Sequence, residues 1–461
     1  MDDAALRELT DALPEGVVVT DAARLDRYRH DWTRAAEAGQ PVAAVRAESA
    51  AHVQVALRWA SAHRVPVVPR GAGTGLAGGA TAVDGCVVVS TERMTAIEVD
   101  RGTRTAVAEP GALNSAVKEA AAAHGLWYPP DPGSFRISSI GGNVATDAGG
   151  ICCVKYGVTS DYVLGLDVVL PDGRLVTLGG RTVKDVAGLP LLRLFVGSEG
   201  TLGIVTRVVL RLVPAQEPAA TVVAWFDTPE DAGRAVVAIG ARLRPSMVEL
   251  LDRAAVNAVE DFRPMGLDRT AGALLIAQSD APGPARAADA EHMAECCRAA
   301  GAREVLATDD PAEGDAFLEA RRATGPALDA RGPLLPEDVC VPVDRLPDVL
   351  AEIQAIAAAH GVEIPVFAHA GDGNLHPAIL YTAGDAASRR RADAAFTAVL
   401  RAAIAAGGTV TGEHGVGRAK RHVLAEQVGA DVLDLTRRVR AAVDPLGIMN
   451  PGVLWEAGVS N

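Results

Sequence analysis

Pro69-Arg70-Gly71-Ala72-Gly73-Thr74-Gly75-Leu76-Ala77-Gly78-Gly79-Ala80 is the stretch that decides the fold. Five of the nine residues from Gly71 to Gly79 are glycine. Such a run lets backbone N–H groups converge into a concave nest, the arrangement that cradles a pyrophosphate. The inner run Gly73 to Gly78 also satisfies G-x-G-x-x-G. The dinucleotide version of that pattern needs a helix directly after the loop and then a second parallel strand. Here residues 80–85 alone separate the loop from a predicted strand at 86–90, too few for a crossover helix. A Rossmann fold is rejected. A purely structural turn is disfavoured, because so many glycines destabilise a loop that holds no ligand.

Outward from the loop, Val53, Leu57 and Ala60 repeat at helical spacing over 50–64, and 66–69 reads as a short strand. Downstream come a strand at 105–109, a helix at 112–124 and an aperiodic Pro/Gly/Ser-rich run at 129–150, long enough to be functional. Residues 166–170 and 174–178 flank Asp172-Gly173 as a hairpin. A glycine turn at 197–203 leads into an alternating strand at 204–213, and Pro214 to Pro218 mark a domain boundary. Beyond it, strands at 221–226, 273–277, 366–369 and 376–381 mix with helices at 229–243, 284–300, 345–360 and 386–406. That pattern predicts an α+β domain with one sheet and helices on one face. The last twenty residues read as an irregular tail that packs on something else.

The 461 residues are 49 % hydrophobic and 22 % charged, ordinary globular values that suit two or three domains. A formal charge of −14 repels nucleic acid and gives no reason to bind anionic lipid. Met1-Asp2-Asp3 opens no signal core, and no apolar run approaches the ~20 residues of a membrane span, so a soluble cytoplasmic protein is expected. The six cysteines have no C-x-x-C spacing and are read as reduced thiols, not cluster ligands.

Chemistry concentrates in two later strings, His369-Ala370-Gly371-Asp372-Gly373-Asn374-Leu375-His376 and Glu413-His414-Gly415. Imidazole and carboxylate are the usual ligands of borderline divalent metals. His369, His376 and Glu413 would hold such an ion and leave positions open, with His414 free to move a proton. Asp372 and Asn374 read as turn formers. Each histidine alone would pass as a strand-end residue; the shared glycine-rich setting argues otherwise.

Seven strings run in order along nearly the whole chain: PRGAGTGLAGGA (69–80), PPDPGSFRISSIGGNVATDAGG (129–150), KYGVTSDYVLGLDVVLPDG (155–173), LFVGSEGTLGIVT (194–206), HAGDGNLHP (369–377), TGEHGVGRAK (411–420) and DPLGIMNPG (444–452). Together they resemble the FAD-dependent 2-hydroxy-acid dehydrogenases of the vanillyl-alcohol oxidase/p-cresol methylhydroxylase superfamily, nearest to the glycolate oxidase FAD-subunit and D-lactate dehydrogenase types. The resemblance implies an α+β architecture. A two-subdomain FAD-binding PCMH-type domain would span 1–215 and an α+β cap with an antiparallel sheet 216–440, and 441–461 would return to the FAD domain. It implies cofactor contacts from Arg70, Gly71, Ala72, Gly73, Thr74, Gly75 and Gly78, from Pro132, Ser134, Ser139, Gly142 and Asn143, and from Gly157, Glu199, Gly200, Ile204 and Asn450. The loop at 69–80 has no histidine or cysteine, so the FAD would be noncovalent.

The implied reaction oxidises a D-2-hydroxy acid to the 2-oxo acid, with hydride passing to flavin N5. A divalent metal (Zn, Mn or Fe) on His369, His376 and Glu413 would chelate the substrate. His414 would take the hydroxyl proton, and Arg321, with Arg322 as its neighbouring alternative, would clamp the substrate carboxylate. Ala378 and Pro336 stand where dicarboxylate-using relatives tend to have asparagine and lysine, which implies a short or apolar monocarboxylate. Asp147 replaces an asparagine common in the family, and Pro190 replaces an acidic residue. The electron acceptor (quinone, cytochrome, partner protein or oxygen) stays open. So do an oxygen-using oxidase, a flavin subunit of a larger complex, and a homodimer.

Overall fold

The computed structural model describes residues 3–33 and 38–456. The chain divides into two units. The first comprises Met1–Gly149, Val158–Ala215 and Glu413–Asn461; the second comprises Gly150–Gly157 and Gln216–Gly412. The chain thus re-enters the first unit at Glu413, where the sequence reading placed the return at 441, and a short piece at 150–157 counts with the second unit.

The first unit contains two main sheets. One has the order Val18–Val19, Ala43–Arg46, Val87–Ser90, Val67–Arg70. Its last two strands are parallel, with Val67 opposite Val87 and Arg70 opposite Ser90. The glycine loop joins them without a helix, which is why the dinucleotide pattern misleads. Helix Ala50–His63 packs Val53, Ala56, Leu57 and Ala60 against Val45, Val67, Val87 and Val89. Ser49 caps it, accepting from His52 N. The tail supplies Ile448 and Met449 to the same core, and Met449 bridges beside Val67.

The other sheet is antiparallel and runs Ile97–Asp100, Thr105–Ala108, Ile204–Arg211, Val163–Val169, Leu175–Gly179. Its inner face (Ala106, Ala108, Leu166, Val168, Val208, Leu210) packs on Val117 and Ala121 of helix Asn114–Ala122 and on Ile140 and Val144. Those last two residues correct the reading of 129–150 as aperiodic, for Ile140–Thr146 is a helix capped by Ser139. Two glycines in seven residues hide its period.

The second unit is built on an antiparallel sheet of order Glu304–Thr308, Ala220–Phe226, Ala273–Ser279, Met247–Asp252, Val366–His369, Asn374–Leu380, Leu334–Pro336. Val339–Cys340 pairs with Asn374–Leu380 as well. Every residue of Ala220–Phe226 and Met247–Asp252 is buried, so both faces are covered. This corrects the expectation of helices on one face. One face packs Val223, Trp225, Leu251, Leu274 and Ile276 on helices Arg253–Phe262 and Pro311–Arg331. The latter, 21 residues long, carries Gly314, Gly325 and an internal Pro326, which mask it in the sequence. Cys86, Cys296 and Cys297 are buried; burial pushes the Cys86 thiol up to about 11 and Cys297 to about 12.

Candidate active site

Strands Val366–His369 and Asn374–Leu380 form a hairpin whose turn closes through Ala370–Asp372 and Gly373, at φ 81°. A Cβ on Gly373 would stand 2.1 Å from the Val341 carbonyl oxygen, so the tight turn requires glycine. Register sets what shares a face. Glu249 lies opposite His369, Leu251 opposite Phe367, Phe367 opposite His376, and His369 opposite Asn374. Directly opposed residues in an antiparallel ladder point the same way. Glu249, Phe367, His369, Asn374 and His376 therefore project from one face, the face covered by helix Pro311–Arg331 and its Arg321.

The two imidazoles meet edge to face with centroids 5.0 Å apart, and Phe367 stacks on His376, also at 5.0 Å. His369 Nδ1 lies 2.7 Å from Glu249 Oε1. The other oxygen, Oε2, accepts from Arg321 Nε. The Arg321 guanidinium lies over the Phe367 ring, 4.7 Å from its centroid. Arg322, by contrast, is exposed and pairs with Glu319 at 3.1 Å.

A second buried carboxylate, Asp338, backs the other histidine. Its Oδ1 is 3.9 Å from His376 Nδ1 and accepts from Asn374 Nδ2 at 2.8 Å. Its Oδ2 accepts from Thr411 Oγ1 at 2.6 Å and from Gly412 N at 3.0 Å. Asp338 thereby fixes the backbone immediately before Glu413. His369 and His376 are both buried on this face, and Glu413, also buried, directly follows the Gly412 amide that Asp338 holds. His414 Nε2 lies 3.8 Å from Glu413 Oε1. This donor set suits a borderline divalent ion. The carboxylate on His369 Nδ1 suits it too, because it leaves Nε2 for a metal.

Glu249 and Asp338 were missed by sequence reasoning. The available signal was an acid inside an apolar run, Met247-Val248-Glu249-Leu250-Leu251, since an acid is rarely fully buried without a partner. Ala378 and Pro336 prove to be cross-strand partners. Ala378 follows His376 by two residues in the strand and so shares its face.

In the first unit the structure brings four of the cofactor strings together. Ser139 Oγ caps helix Ile140–Thr146 and accepts from Ala72 N at 3.1 Å, so the glycine loop lies on that helix start. A Cβ on Gly71 would meet Ser139 Oγ at 2.4 Å. Asn450 donates from Nδ2 to Gly79 O at 2.8 Å and to Glu199 O at 2.7 Å, while its buried Oδ1 has no partner among the described residues. A buried acceptor left open beside a glycine nest is what a bound dinucleotide would satisfy.

Other members of the set also make contacts within the fold. Arg70 turns its guanidinium into its own loop, with Nη1 donating to His30 O at 2.9 Å. Burial lowers its pKa, against the pull of Asp31. The Asn143 amide bonds Asn114 and Ser138. The Pro132 and Ser134 carbonyls close turns onto Phe135 N and Ile137 N. Ile204 is a core residue and Gly200 packs against Pro69. The Thr74 and Gly75 segment crosses to Trp32 through Gly75 O, and Gly78 (φ 78°) abuts Arg418. Gly157 ends the short piece that counts with the second unit. The Glu199 carboxylate accepts from Val416 N at 2.9 Å and Gly417 N at 2.8 Å, which grips the loop just after His414. Burial pushes it up to about 7, against those two bonds and the nearby Lys420.

Comparison with known proteins agrees with this layout. Residues 215–454 match the model of the FAD linked oxidases' C-terminal domain, and residues 41–179 match an FAD binding domain. The glycolate oxidase subunit GlcD of Bacillus subtilis is 38 % identical over 448 residues, covering 96 % of this chain and 94 % of that one. A D-lactate dehydrogenase of Archaeoglobus fulgidus is 34 % identical over 433 residues, covering 93 % and 95 %. In fold, p-cresol methylhydroxylase with substrate bound superposes with a TM-score of 0.84 at 17 % identity, covering 100 % of this chain and 98 % of that one. With a family model spanning more than half its length and relatives of this identity, the chain belongs to the FAD-linked oxidases.

Proposed function

We propose that this chain oxidises a short D-2-hydroxy monocarboxylate, of the glycolate or D-lactate kind, to its 2-oxo acid with noncovalent FAD and a divalent metal. The observation that carries the reading is the pair of imidazoles, His369 bonded to buried Glu249 and His376 lying 3.9 Å from buried Asp338, on the sheet face that also holds Arg321. The relatives named for glycolate and D-lactate support the substrate class. So does the small apolar pair Ala378 and Pro336 beside His376, which offers no counter-charge to a second carboxylate.

When bound, flavin supplies the hydride acceptor, and a metal on His369, His376 and Glu413 supplies a Lewis acid that lowers the hydroxyl pKa. The chain's own residues do the rest. His414 takes the hydroxyl proton. Arg321, anchored through Nε, clamps the substrate carboxylate with its guanidinium. Glu199 and Asp338 hold the loop that carries Glu413 and His414 from its two ends. The substrate loses one proton and one hydride and leaves as the oxo acid.

Anaerobic bleaching of the flavin band, across D- and L-lactate, glycolate and D-2-hydroxyglutarate, tests this before and after chelation. A D-monocarboxylate should bleach it and chelation should suppress the rate. His414→Ala should slow reduction by about 10²–10⁴-fold. An unchanged rate in that variant would remove His414 as the base. Oxygen consumption in air separates an oxidase from a dehydrogenase.

A second reading, a flavin subunit of a larger complex, has its own support. Val183, Val186, Leu189, Leu191 and Leu194 are exposed within twelve consecutive residues, and the Bacillus subtilis relative is itself named a glycolate oxidase subunit.

A further inference from the structure

We infer that Glu249 is a positioning residue that sets His369 and Arg321 with one carboxylate, and so couples metal affinity to substrate affinity. The inference rests on the function proposed above. Glu249 lies at the middle of Met247–Asp252, buried at every position. Its side chain is fully shielded from solvent. One oxygen faces His369 Nδ1 at 2.7 Å and the other accepts from Arg321 Nε.

The chemistry of the contact assigns the imidazole tautomer. An ionised carboxylate only accepts hydrogen bonds, so His369 Nδ1 must carry the proton. Arg321 Nη2 also approaches Nδ1, at 3.5 Å, and would require the opposite tautomer. The shorter contact, to a charged acceptor, decides. Nε2 is then left with a lone pair for a metal. Such outer partners fix ring orientation and raise ligand basicity.

Glu249 is an unusual partner because its second oxygen is committed to a different functional group. Arg321 has Phe367 on one face and Glu249 at Nε. Phe367 in turn stacks on His376, the other imidazole. A shift of Glu249 therefore moves both the metal donor and the cation that faces the substrate. A carboxylate that served the fold alone would leave the two affinities uncoupled.

The test uses purified flavin-loaded protein and Glu249→Gln, which keeps the shape and removes the charge. Zinc affinity is read by competition with a chromophoric chelator, and flavin reduction gives KM and kcat separately. Zinc should bind about 10–100-fold more weakly. KM for D-lactate or glycolate should rise at saturating zinc, and Glu249→Asp should recover part of both. Wild-type zinc affinity together with wild-type KM in Glu249→Gln would overturn the inference. If that variant fails to fold, ¹⁵N-histidine spectra of the wild-type holoprotein decide: a proton on His369 Nε2 overturns it, a proton on Nδ1 supports it. Failure of the parent reading looks different, because chelation would then leave wild-type flavin reduction unchanged.

Discussion

At the scale of single residues, the most informative acid outside the proposed metal ligands is Glu199. Its backbone has φ 50°, and its carboxylate holds the Val416 and Gly417 amides in a site closed to water. Burial raises its pKa from 4.5 to about 7. Between those values the folded protein binds this proton and the unfolded chain does not. The stability it contributes is therefore complete below about 4.5 and is lost as pH rises through about 7. At about 1.4 kcal/mol per pH unit, the swing is of order 3 kcal/mol. Glu199→Gln, which never ionises, should flatten that fall. Its thermal midpoint should gain on wild type by roughly 3–6 °C between pH 5 and pH 8, followed by circular dichroism. Parallel curves for the two proteins would show that Glu199 does not titrate in this window. The sequence flagged Glu199 as a cofactor contact through its motif; its partnership with a loop more than two hundred residues away is tertiary and has no local trace. Glu249 left one local trace, an acid inside an apolar run, but its pairing with His369 and Arg321 shows only once its neighbours across the sheet are known.

At the scale of elements, legibility followed amphipathic period. Helix Ala50–His63 and strand Val67–Arg70 fall within a residue or two of their predicted positions, since capping and spacing agree there. Helix Pro311–Arg331 and strand Met247–Asp252 were lost. The first is broken in sequence by Gly and Pro, and the second is buried on both faces and so shows no alternation. No sequence pattern could show that residues 150–157 count with the second unit. The structure gives a reason in Asp280, which accepts from Lys155 Nζ, Tyr156 OH and Gln216 Nε2, while Arg244 donates to the Lys155 carbonyl. Three donors on one nearly buried carboxylate make a latch for a segment with just one short helix. Asp280→Asn keeps a single acceptor oxygen and loses the charge. Local opening should become easier by about 2 kcal/mol, so trypsin should cut after Lys155 about thirtyfold faster. Equal nicking of variant and wild type would mean the segment is held by other contacts.

For the whole molecule, the question is whether the donor cluster governs stability as well as chemistry. A metal that binds the folded state alone stabilises it by mass action, about 2.7 kcal/mol at a hundredfold excess over its dissociation constant. A formal charge of −14 complicates the reading, because any divalent cation relieves self-repulsion in so acidic a chain. The two effects differ in three ways. Diffuse attraction between exposed charges is screened at high salt, whereas a buried site is not. Calcium prefers an all-oxygen shell, so it should act through charge but not through two imidazoles. Finally, the specific effect must vanish when one imidazole is removed. Chelator-stripped protein in 0.5 M salt should therefore melt several degrees higher with zinc or manganese, not with calcium, and His369→Asn should abolish the rise. If calcium matches zinc, or if His369→Asn keeps the full shift, the ion sits elsewhere, and the buried carboxylates at Glu249 and Asp338 brace two histidines that hold no metal.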